Sequence, residues 1–235
     1  MEGLSQPARA RRANNGVSGP TPGRKNDPER VKQDILKIAT EEFARNGLTG
    51  ARVDAIADRT RTTKAMIYYY FGSKEGLFAA VIEAAYGDIR AAEAALKLDA
   101  LGPEEALRRL VEFTFDYHDE HPDFVRLVSI ENIHHAEHIA GSITIQGLND
   151  PVIQGLAAIL DRGREQGVFT RDVDVTEVHM AISALCFYRV SNRHTFGMLF
   201  RRDLSAPEAR ERQRRMVADM ILSYLQLGTA RDGGT

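Results

Sequence analysis

Apolar residues recur every three or four positions along almost the whole chain after residue 26, whereas the strict alternation of a half-buried strand is hard to find. The first apolar stripe contains Val31, Ile35 and Phe43. It follows Asp27, a good N-cap residue with a proline after it, and it stops at Gly47. This pattern predicts an amphipathic helix at the start of the folded part of the chain.

The same periodicity predicts further helices that are separated by capping residues, prolines and glycines rather than by hairpin turns. They cover approximately residues 53–57, 65–70, 74–98, 122–139, 151–167, 173–200 and 207–227, and one more begins at Pro103. Residues 140–148 contain glycine and threonine and are ambiguous. Because the count comes to about nine helices with no internal repeat, the sequence predicts an all-α fold.

Residues 51–74 contain two short predicted helices joined by a turn. Such a pair lets one helix place its N-terminal side chains in the DNA major groove, about 12 Å wide, while the other holds it against the protein. Inner contacts are expected from the apolar residues Val53, Ile56, Ala57, Ala65, Ile67 and Phe71. Outward positions are expected for Thr62, Thr63, Lys64, Met66, Tyr68 and Tyr69. Tyrosine hydroxyls donate to phosphates and the rings meet thymine methyl groups, so the segment predicts a DNA-binding helix-turn-helix.

This segment resembles the DNA-binding domain of the TetR (tetracycline repressor) family, and the resemblance covers residues 28–80 approximately. Its motifs are Val53-x-x-Ile56-Ala57, Thr63-Lys64-x-x-Ile67-Tyr68-x-Tyr70-Phe71 and Ser73-Lys74-Glu75-x-Leu77. One position departs from the family pattern, because Arg61 stands where the family usually has glycine in the turn. Either the turn tolerates a side chain or the backbone there avoids a left-handed conformation.

The resemblance implies a DNA-binding regulator, a repressor that binds a palindromic operator as a homodimer and is released by a small-molecule effector. It implies that Arg52 starts the supporting helix and that the recognition helix starts at Thr63 and Lys64. Tyr69 is then the best candidate for a base contact and Lys74 for a phosphate. The complete set of expected DNA-binding residues is Arg52, Thr62, Thr63, Lys64, Tyr68, Tyr69 and Lys74.

Beyond residue 80 the resemblance is architectural and implies a connecting helix followed by helices that bind a ligand and dimerise. The last two predicted helices are apolar on more than one face, as expected of helices that also contact a partner. An effector cavity is expected between the helices. Its candidate polar residues are His118, Arg126, Glu131, Asn132, His135, Tyr188, Asn192 and Thr195. The polar run 188–196 fits a cavity wall and a hydrogen-bond network between subunits equally well.

Composition divides the chain into four expected parts. Residues 1–26 are expected to be a disordered basic arm, because lysine and arginine outnumber acids there among glycine, proline, asparagine and serine. The helix-turn-helix domain covers residues 27–74, the ligand-binding and dimerisation domain covers residues 75–228, and residues 229–235 form a disordered tail. The arm is either a solvated tail without a role or a segment that lies along phosphates or in a minor groove.

Two alternative functions remain open at the level of the sequence. His134 and His138 share one face of a predicted helix at the i, i+4 spacing used for zinc. The first alternative is therefore a regulator that responds to a metal ion. The other alternative is a helical scaffold without DNA binding. An enzyme is not expected, because His135 stands where a zinc protease needs glutamate and no nucleophile elbow or phosphate-binding loop occurs. No cofactor is expected either.

The composition, 43% hydrophobic and 27% charged residues with a net charge of -2, is ordinary for a globular protein. No apolar run approaches about eighteen residues, and the N-terminus lacks the pattern of a secretory signal. The expectation is therefore a cytoplasmic protein without a membrane partner. The single cysteine, Cys186, lies in an apolar run and is expected to be buried rather than redox-active.

Overall fold

The computed structural model describes residues 27–227, so the expected basic arm and the expected tail lie outside the described residues. The described residues contain no strand, which confirms the all-α prediction, with ten α-helices instead of about nine. A single turn of 3-10 helix lies at Leu98–Ala100. The helices are α1 (Pro28–Gly50), α2 (Val53–Thr60), α3 (Lys64–Phe71), α4 (Lys74–Ala94), α5 (Pro103–Glu120), α6 (Pro122–Ile133), α7 (Ile143–Glu165), α8 (Val175–Ser191), α9 (Arg193–Phe200) and α10 (Pro207–Gln226).

Side chains at the predicted capping positions begin the N-terminal helices. Asp27 accepts a hydrogen bond from the backbone N–H of Glu29 at the start of α1, and Ser73 accepts one from Gly76 at the start of α4. These bonds satisfy N–H groups that have no partner inside a helix. The regular part of α1 is interrupted at Gly47, the residue where the apolar stripe stops, because this glycine has a φ of 69° and a ψ of 174°, which are not helical. A short helical segment follows and reaches Gly50.

The helix-turn-helix core is closed by α4. Phe43 of α1 meets Phe78 of α4 edge to face, with the ring centroids 5.1 Å apart. Ile56 of α2 and Ile67 of α3 are fully buried in the same cluster. Leu127 of α6 also joins this cluster, so the helix-turn-helix unit shares its core with the first helices of the C-terminal part.

A second core joins α5, α7, α8 and α10, and it contains Cys186, which is buried as predicted. An ion-pair network lies beside it. Arg189 of α8 is only 7% exposed and donates to Asp119 of α5 at 2.5 Å. Arg210 of α10 donates to the same carboxylate at 2.8 Å, and Arg214 bonds Asp116 at 3.0 Å. These bonds tie three helices together around paired charges that could not be buried alone.

Helix α6 ends at Ile133, and not near residue 139 as the periodicity predicts. The chain turns instead around the carboxylate of Glu131, which accepts the backbone N–H groups of His138 and Ile139. His135 has a φ of 56° in this turn. The ambiguous segment that follows becomes the start of α7, because Ser142 caps that helix by accepting from the N–H of Ile145.

The predicted helix over residues 173–200 is two helices, α8 and α9, separated at Asn192. The side chain of Asn192 donates to the hydroxyl of Ser191, and Thr195 donates to the carbonyl of Asn192. Short polar side chains of this kind compete with the helical hydrogen bonds of the backbone, which accounts for the break. No described helix is both long and apolar enough to span a bilayer.

Candidate DNA interface and ligand cavity

The turn between α2 and α3 holds Arg61 in a left-handed conformation, with a φ of 55° and a ψ of 34°. The turn therefore tolerates a side chain at the position where glycine would be expected. The N–H of Thr62 donates to the carbonyl of Ala57 at 3.0 Å and closes the end of α2. Thr63 then caps α3 by accepting from the N–H of Met66 at 3.1 Å. The first residues of α3 are thus held with their side chains outward.

The outer face of α3 is accessible. Tyr69 is 80% exposed and Tyr68 is 39% exposed, whereas Ile67 between the two helices is fully buried. Thr63 and Lys64 are also exposed at the start of the helix. This arrangement offers hydroxyls, two phenol rings and a cation on one helix face, which are groups that contact phosphates and base edges.

Two predictions for the interior of this unit need correction or refinement. Ala65 was expected inside but is exposed, because it follows Lys64 on the outer side of the first turn of α3. Phe71 is only partly buried, next to Tyr70, whose ring lies 6.2 Å from it at the edge of the core. The inner face of α3 therefore depends chiefly on Ile67.

The cations near the interface are held by weak partners on the protein. Lys64 Nζ lies 2.8 Å from the carboxylate of Asp54, and this hydrogen bond raises the pKa of the lysine. Both side chains are about half exposed, and such surface pairs are easily exchanged. Lys74 donates to the backbone carbonyl of Thr49 at 3.1 Å. Arg52 precedes α2 with an exposed side chain.

Two adjoining cavities lie inside the C-terminal part. The first, named here the His118 cavity, has a volume of about 740 Å³ and lies between α4, α5, α6, α7 and α8. The second, named the Gly155 cavity, has a volume of about 880 Å³ and lies between α4 and α7. Arg90, Glu93 and Leu110 line both. Gly155 leaves the second cavity open, since a Cβ added there would meet no atom within 4 Å.

The His118 cavity is lined by aromatic rings and by neutral imidazoles. Phe124 stacks on His118 with ring centroids 5.6 Å apart, and Phe187 meets the same imidazole edge to face. Burial, together with the charge of Arg90, lowers the pKa of His118 to about 4. Burial likewise lowers the pKa of His179 on the same wall. Both imidazoles are therefore uncharged at neutral pH and serve as polar groups in an apolar wall.

The predicted effector residues are only partly brought together here. His118 and Asn132 line the cavity. Glu131 lies behind it, buried and hydrogen-bonded to the turn after α6. The other five lie elsewhere, and of these Arg126 is paired with Asp123 on the surface and Tyr188 is 56% exposed. Besides Glu131, the predicted residues that lie outside the lining of this cavity are Arg126, His135, Tyr188, Asn192 and Thr195.

Arg90 and Glu93 line both cavities, although no pattern in the sequence singled them out. They lie three residues apart on α4 and form an ion pair in which each side chain is 13% exposed. An i, i+3 pair of opposite charges was the available signal, but such pairs normally lie on solvated helix faces. Only the packing of α4 against α5 and α7 shows that this pair is enclosed.

The geometry of the histidine cluster differs from the expected zinc motif. His134 and His138 lie in the turn after α6 rather than on a helix, although their ring centroids are 5.3 Å apart. Nδ1 of His138 is already bonded to Glu131 at 2.8 Å. Across residues 27–227, no group of three or more His, Cys, Asp or Glu side chains is placed to hold a metal ion.

Apolar side chains remain exposed in two stripes. On α10 they are Met216, Met220 and Tyr224, each 50% exposed and spaced at i, i+4. On α8 the corresponding stripe runs through Met180 and Tyr188, 64% and 56% exposed. Exposed apolar rows of this kind are a common sign of a protein–protein interface.

A helix-turn-helix followed by an all-helical C-terminal part defines a DNA-binding transcriptional regulator. The family model for bacterial regulatory proteins of the tetR family matches residues 35–81, and the model for the tetracyclin repressor-like C-terminal domain matches residues 103–221. The chain belongs to the TetR family, as the motifs around α2 and α3 indicated.

Individual relatives support the same assignment to a family of transcriptional regulators. The chain is 37% identical to the transcriptional repressor NicS of Pseudomonas putida over 198 residues, which cover 84% of this chain and 93% of NicS. It is 32% identical to the transcriptional repressor SCO4008 of Streptomyces coelicolor over 172 residues, or 70% and 80% of the two chains. The crystal structure of the regulator SCO4942 of Streptomyces coelicolor shares 25% identity with a TM-score of 0.61, over 83% and 97%. NicS and SCO4008 are both transcriptional repressors.

Proposed function

We propose that this regulator is a repressor that binds a palindromic operator as a homodimer and leaves it when a small molecule occupies the cavities beside α4. The observation that carries the DNA-binding part is the exposed outer face of α3, because Tyr69 is 80% exposed on the same short helix that Thr63 caps and Lys64 begins. The names of NicS and SCO4008, both repressors, support repression over activation.

In this proposal the residues at the DNA divide into two groups. Tyr68 and Tyr69 contact bases and sugars in the major groove, as their exposed rings allow. The polar and basic group contacts phosphates and consists of Arg52, Thr62, Thr63, Lys64 and Lys74. Lys64 exchanges Asp54 for a phosphate, and Lys74 exchanges the carbonyl of Thr49 for one, since both contacts are weak and partly solvated.

The homodimer is proposed to form through the exposed stripes of α8 and α10. One helix-turn-helix reads only half of a palindrome, so two copies related by a two-fold axis are needed for useful affinity. The rows through Met180 and Tyr188 and through Met216, Met220 and Tyr224 supply an apolar surface that a second copy would bury.

Release by a ligand is proposed to act through α4, which takes part in both units. Near its start, Phe78 packs in the helix-turn-helix core, and about three turns later Arg90 and Glu93 line the cavities. A ligand that fits only one position of α4 would shift the population toward that position. Because two recognition helices must be about 34 Å apart to read a palindrome, a small shift of α4 in each subunit weakens operator binding.

Selection from a random DNA library at low salt tests the proposal. We expect enrichment of a palindromic sequence by the full-length protein, and we expect Tyr69→Ala to change which sequences are enriched. Failure to enrich any palindrome would overturn the repressor and leave a helical scaffold. A metal-responsive regulator would instead need metal in protein purified without a histidine tag, at close to one equivalent, and binding to the operator that changes when the metal is removed.

A further inference from the structure

Three buried polar side-chain atoms lack a hydrogen-bond partner in the part of the chain that the structure describes: Nε of Arg90, Nδ1 of His118 and Nε of Arg162. All three belong to residues that line the two cavities beside α4. Leaving a buried polar group without a partner is unfavourable, so three such atoms around the same two cavities call for a polar partner from outside the chain. Their common location points to a polar ligand rather than to a purely apolar one.

The kind of polar group follows from Arg90. A guanidinium nitrogen can only donate, so the ligand atom that meets its Nε must be an acceptor. The ion pair with Glu93 uses Nη1 of the arginine, at 2.5 Å from the carboxylate, and leaves the buried Nε without a hydrogen-bond partner. A guanidinium edge binds a carboxylate with two parallel hydrogen bonds, which a single neutral acceptor cannot match.

The rest of the ligand follows from the cavity walls. Phe124, Phe187 and Tyr86 surround the His118 cavity with rings, and the imidazoles of His118 and His179 are neutral. A volume of about 740 Å³ suits a small molecule whose apolar body meets these rings, and polar side chains such as Thr114, Asn132 and Ser183 in the same lining can meet its polar atoms.

We propose that the effector is a carboxylate on an apolar body, bound through the Nε edge of Arg90, and that Glu93 is the internal competitor for that arginine. This inference rests on the proposed release by a ligand and adds its chemical class. Without the ligand, Glu93 balances the charge of Arg90 inside the protein. With the ligand bound, two carboxylates share one guanidinium, so the presence of Glu93 weakens the binding of an acid but not that of a neutral compound.

Burial is consistent with this competition. It raises the pKa of the Glu93 carboxyl, although the charge of Arg90 beside it acts in the opposite direction. A carboxylate that is costly to bury is readily protonated or displaced when a second anion arrives. No covalent step is involved, and the whole effect is one of binding.

Calorimetry on the full-length protein, without DNA, tests the inference with acids and their uncharged amides: benzoate and benzamide, phenylacetate and phenylacetamide, hexanoate and hexanamide. Comparison of the two aromatic pairs with the hexanoate pair shows whether the cavity prefers a ring or an alkyl chain as the apolar body. We expect at least one acid to bind at least about tenfold more tightly than its amide. Arg90→Gln should abolish this preference, and Glu93→Gln should strengthen acid binding several-fold while leaving the amide unchanged.

Arg90→Gln leaves the Glu93 carboxylate buried without a partner, so the double variant Arg90→Gln/Glu93→Gln provides a comparison without an unpaired charge, and it must also lack the preference. Arg126→Gln, on the surface outside the cavities, is the matched control and should behave as the wild type. Amides that bind as well as the acids, a preference that survives in Arg90→Gln, or no binding of any acid at about 10 mM would each overturn the inference. Operator binding is also measured on the same variants without acid. Normal operator binding together with a failed acid preference overturns only the inference about the effector, whereas loss of operator binding by the wild type overturns the proposed DNA-binding function.

Discussion

The carboxylate of Glu131 on α6 accepts a hydrogen bond from Nδ1 of His138 at 2.8 Å, in the turn that follows the helix. The same carboxylate accepts the backbone N–H groups of His138 and Ile139, and it is only 3% exposed. The ring of His138 then packs edge to face on Phe78, with the centroids 5.3 Å apart. This carboxylate therefore connects α6, beside the His118 cavity, with the core of the DNA-binding unit.

Replacing Glu131 by glutamine should destabilise the protein. The change removes the charge that strengthens all three hydrogen bonds and leaves one of the two acceptor oxygens, so we expect a loss of about 2–4 kcal/mol in the free energy of unfolding. Urea denaturation followed by circular dichroism measures it. Glu137→Gln is the control in the same turn, because Glu137 is 65% exposed and should change stability by less than about 0.5 kcal/mol. Equal stability of the two variants would contradict the structural role given to Glu131.

Truncation of Tyr69 to alanine should weaken operator binding without unfolding the protein. The side chain is 80% exposed and lies on the outer face of α3, so its loss removes DNA contacts but little packing. We expect specific affinity to fall by about tenfold to a hundredfold, with the melting temperature unchanged and affinity for unrelated DNA nearly unchanged. Fluorescence anisotropy with both DNAs measures the difference. An equal loss on both DNAs would place Tyr69 at the backbone instead of the bases.

Lys64→Ala should lower affinity for all sequences and flatten the dependence on salt. The lysine is paired with Asp54 in the free protein, and a contact to phosphate would release a counterion from each half-site. In a dimer the slope of log K against log salt should therefore fall by about 2. Titrations at several salt concentrations measure the slope. Asp54→Asn is the comparison variant. It removes the partner of Lys64 but keeps the lysine, so the slope of log K against log salt should equal that of the wild type.

Met220→Glu should separate the proposed dimer. Met220 lies in the middle of the exposed stripe on α10, and a two-fold axis would bring two new carboxylates into the same apolar contact. We expect the dissociation constant of the dimer to rise by about a hundredfold or more, measured by sedimentation velocity. Ile143→Glu is the control, because this residue is 84% exposed on α7 and lies outside the two stripes. If both variants sediment as the wild type, the dimer does not use α10.

Acidification should lower the free energy of unfolding, and part of this loss should come from protonation of His118 in the unfolded chain. The pKa of this buried imidazole is lowered from 6.5 to about 4 in the folded protein, so the unfolded chain binds the proton more tightly. The contribution of the uncharged His118 to the free energy of unfolding is fully present above pH 6.5 and is lost as the pH falls toward 4. About 2 kcal/mol of this free energy is lost between pH 7.5 and 5. His179, whose pKa is also lowered, acts in the same direction. Chemical denaturation at several pH values should show a shallower slope for His118→Gln, and an unchanged slope would contradict the burial of an uncharged His118.

Short-range signals were sufficient to predict the helix-turn-helix. Capping by Asp27, Thr63 and Ser73 and the burial of Ile56 and Ile67 follow from patterns within a few residues, so the local sequence determines them. The all-helical class and the burial of the cysteine also follow from periodicity. The roles of the exposed residues of α3 remain predictions, because they concern contacts with DNA.

The turn after α6 and the break between α8 and α9 could not be predicted from periodicity. The apolar pattern continues through residues 134–139, but the carboxylate of Glu131 binds N–H groups seven and eight residues later and pulls the chain out of the helix. A contact between a side chain and backbone N–H groups seven or eight residues away has no fixed spacing in sequence, so no local pattern predicts it. The expected zinc pair of His134 and His138 lost its helical spacing for the same reason.

The sequence by itself determined the helical class, the recognition unit and its exposed tyrosines, since each depends on neighbours along one helix. Only the tertiary structure decided which polar residues surround the cavities. Arg90 and Glu93 resemble an ordinary surface pair until α5 and α7 pack beside α4 and enclose them, and Tyr188 resembles a cavity residue until the fold leaves it on the exposed side of α8. Burial of a charge is a property of the helices around it, which are distant in sequence, and the order of residues along one helix does not contain that information.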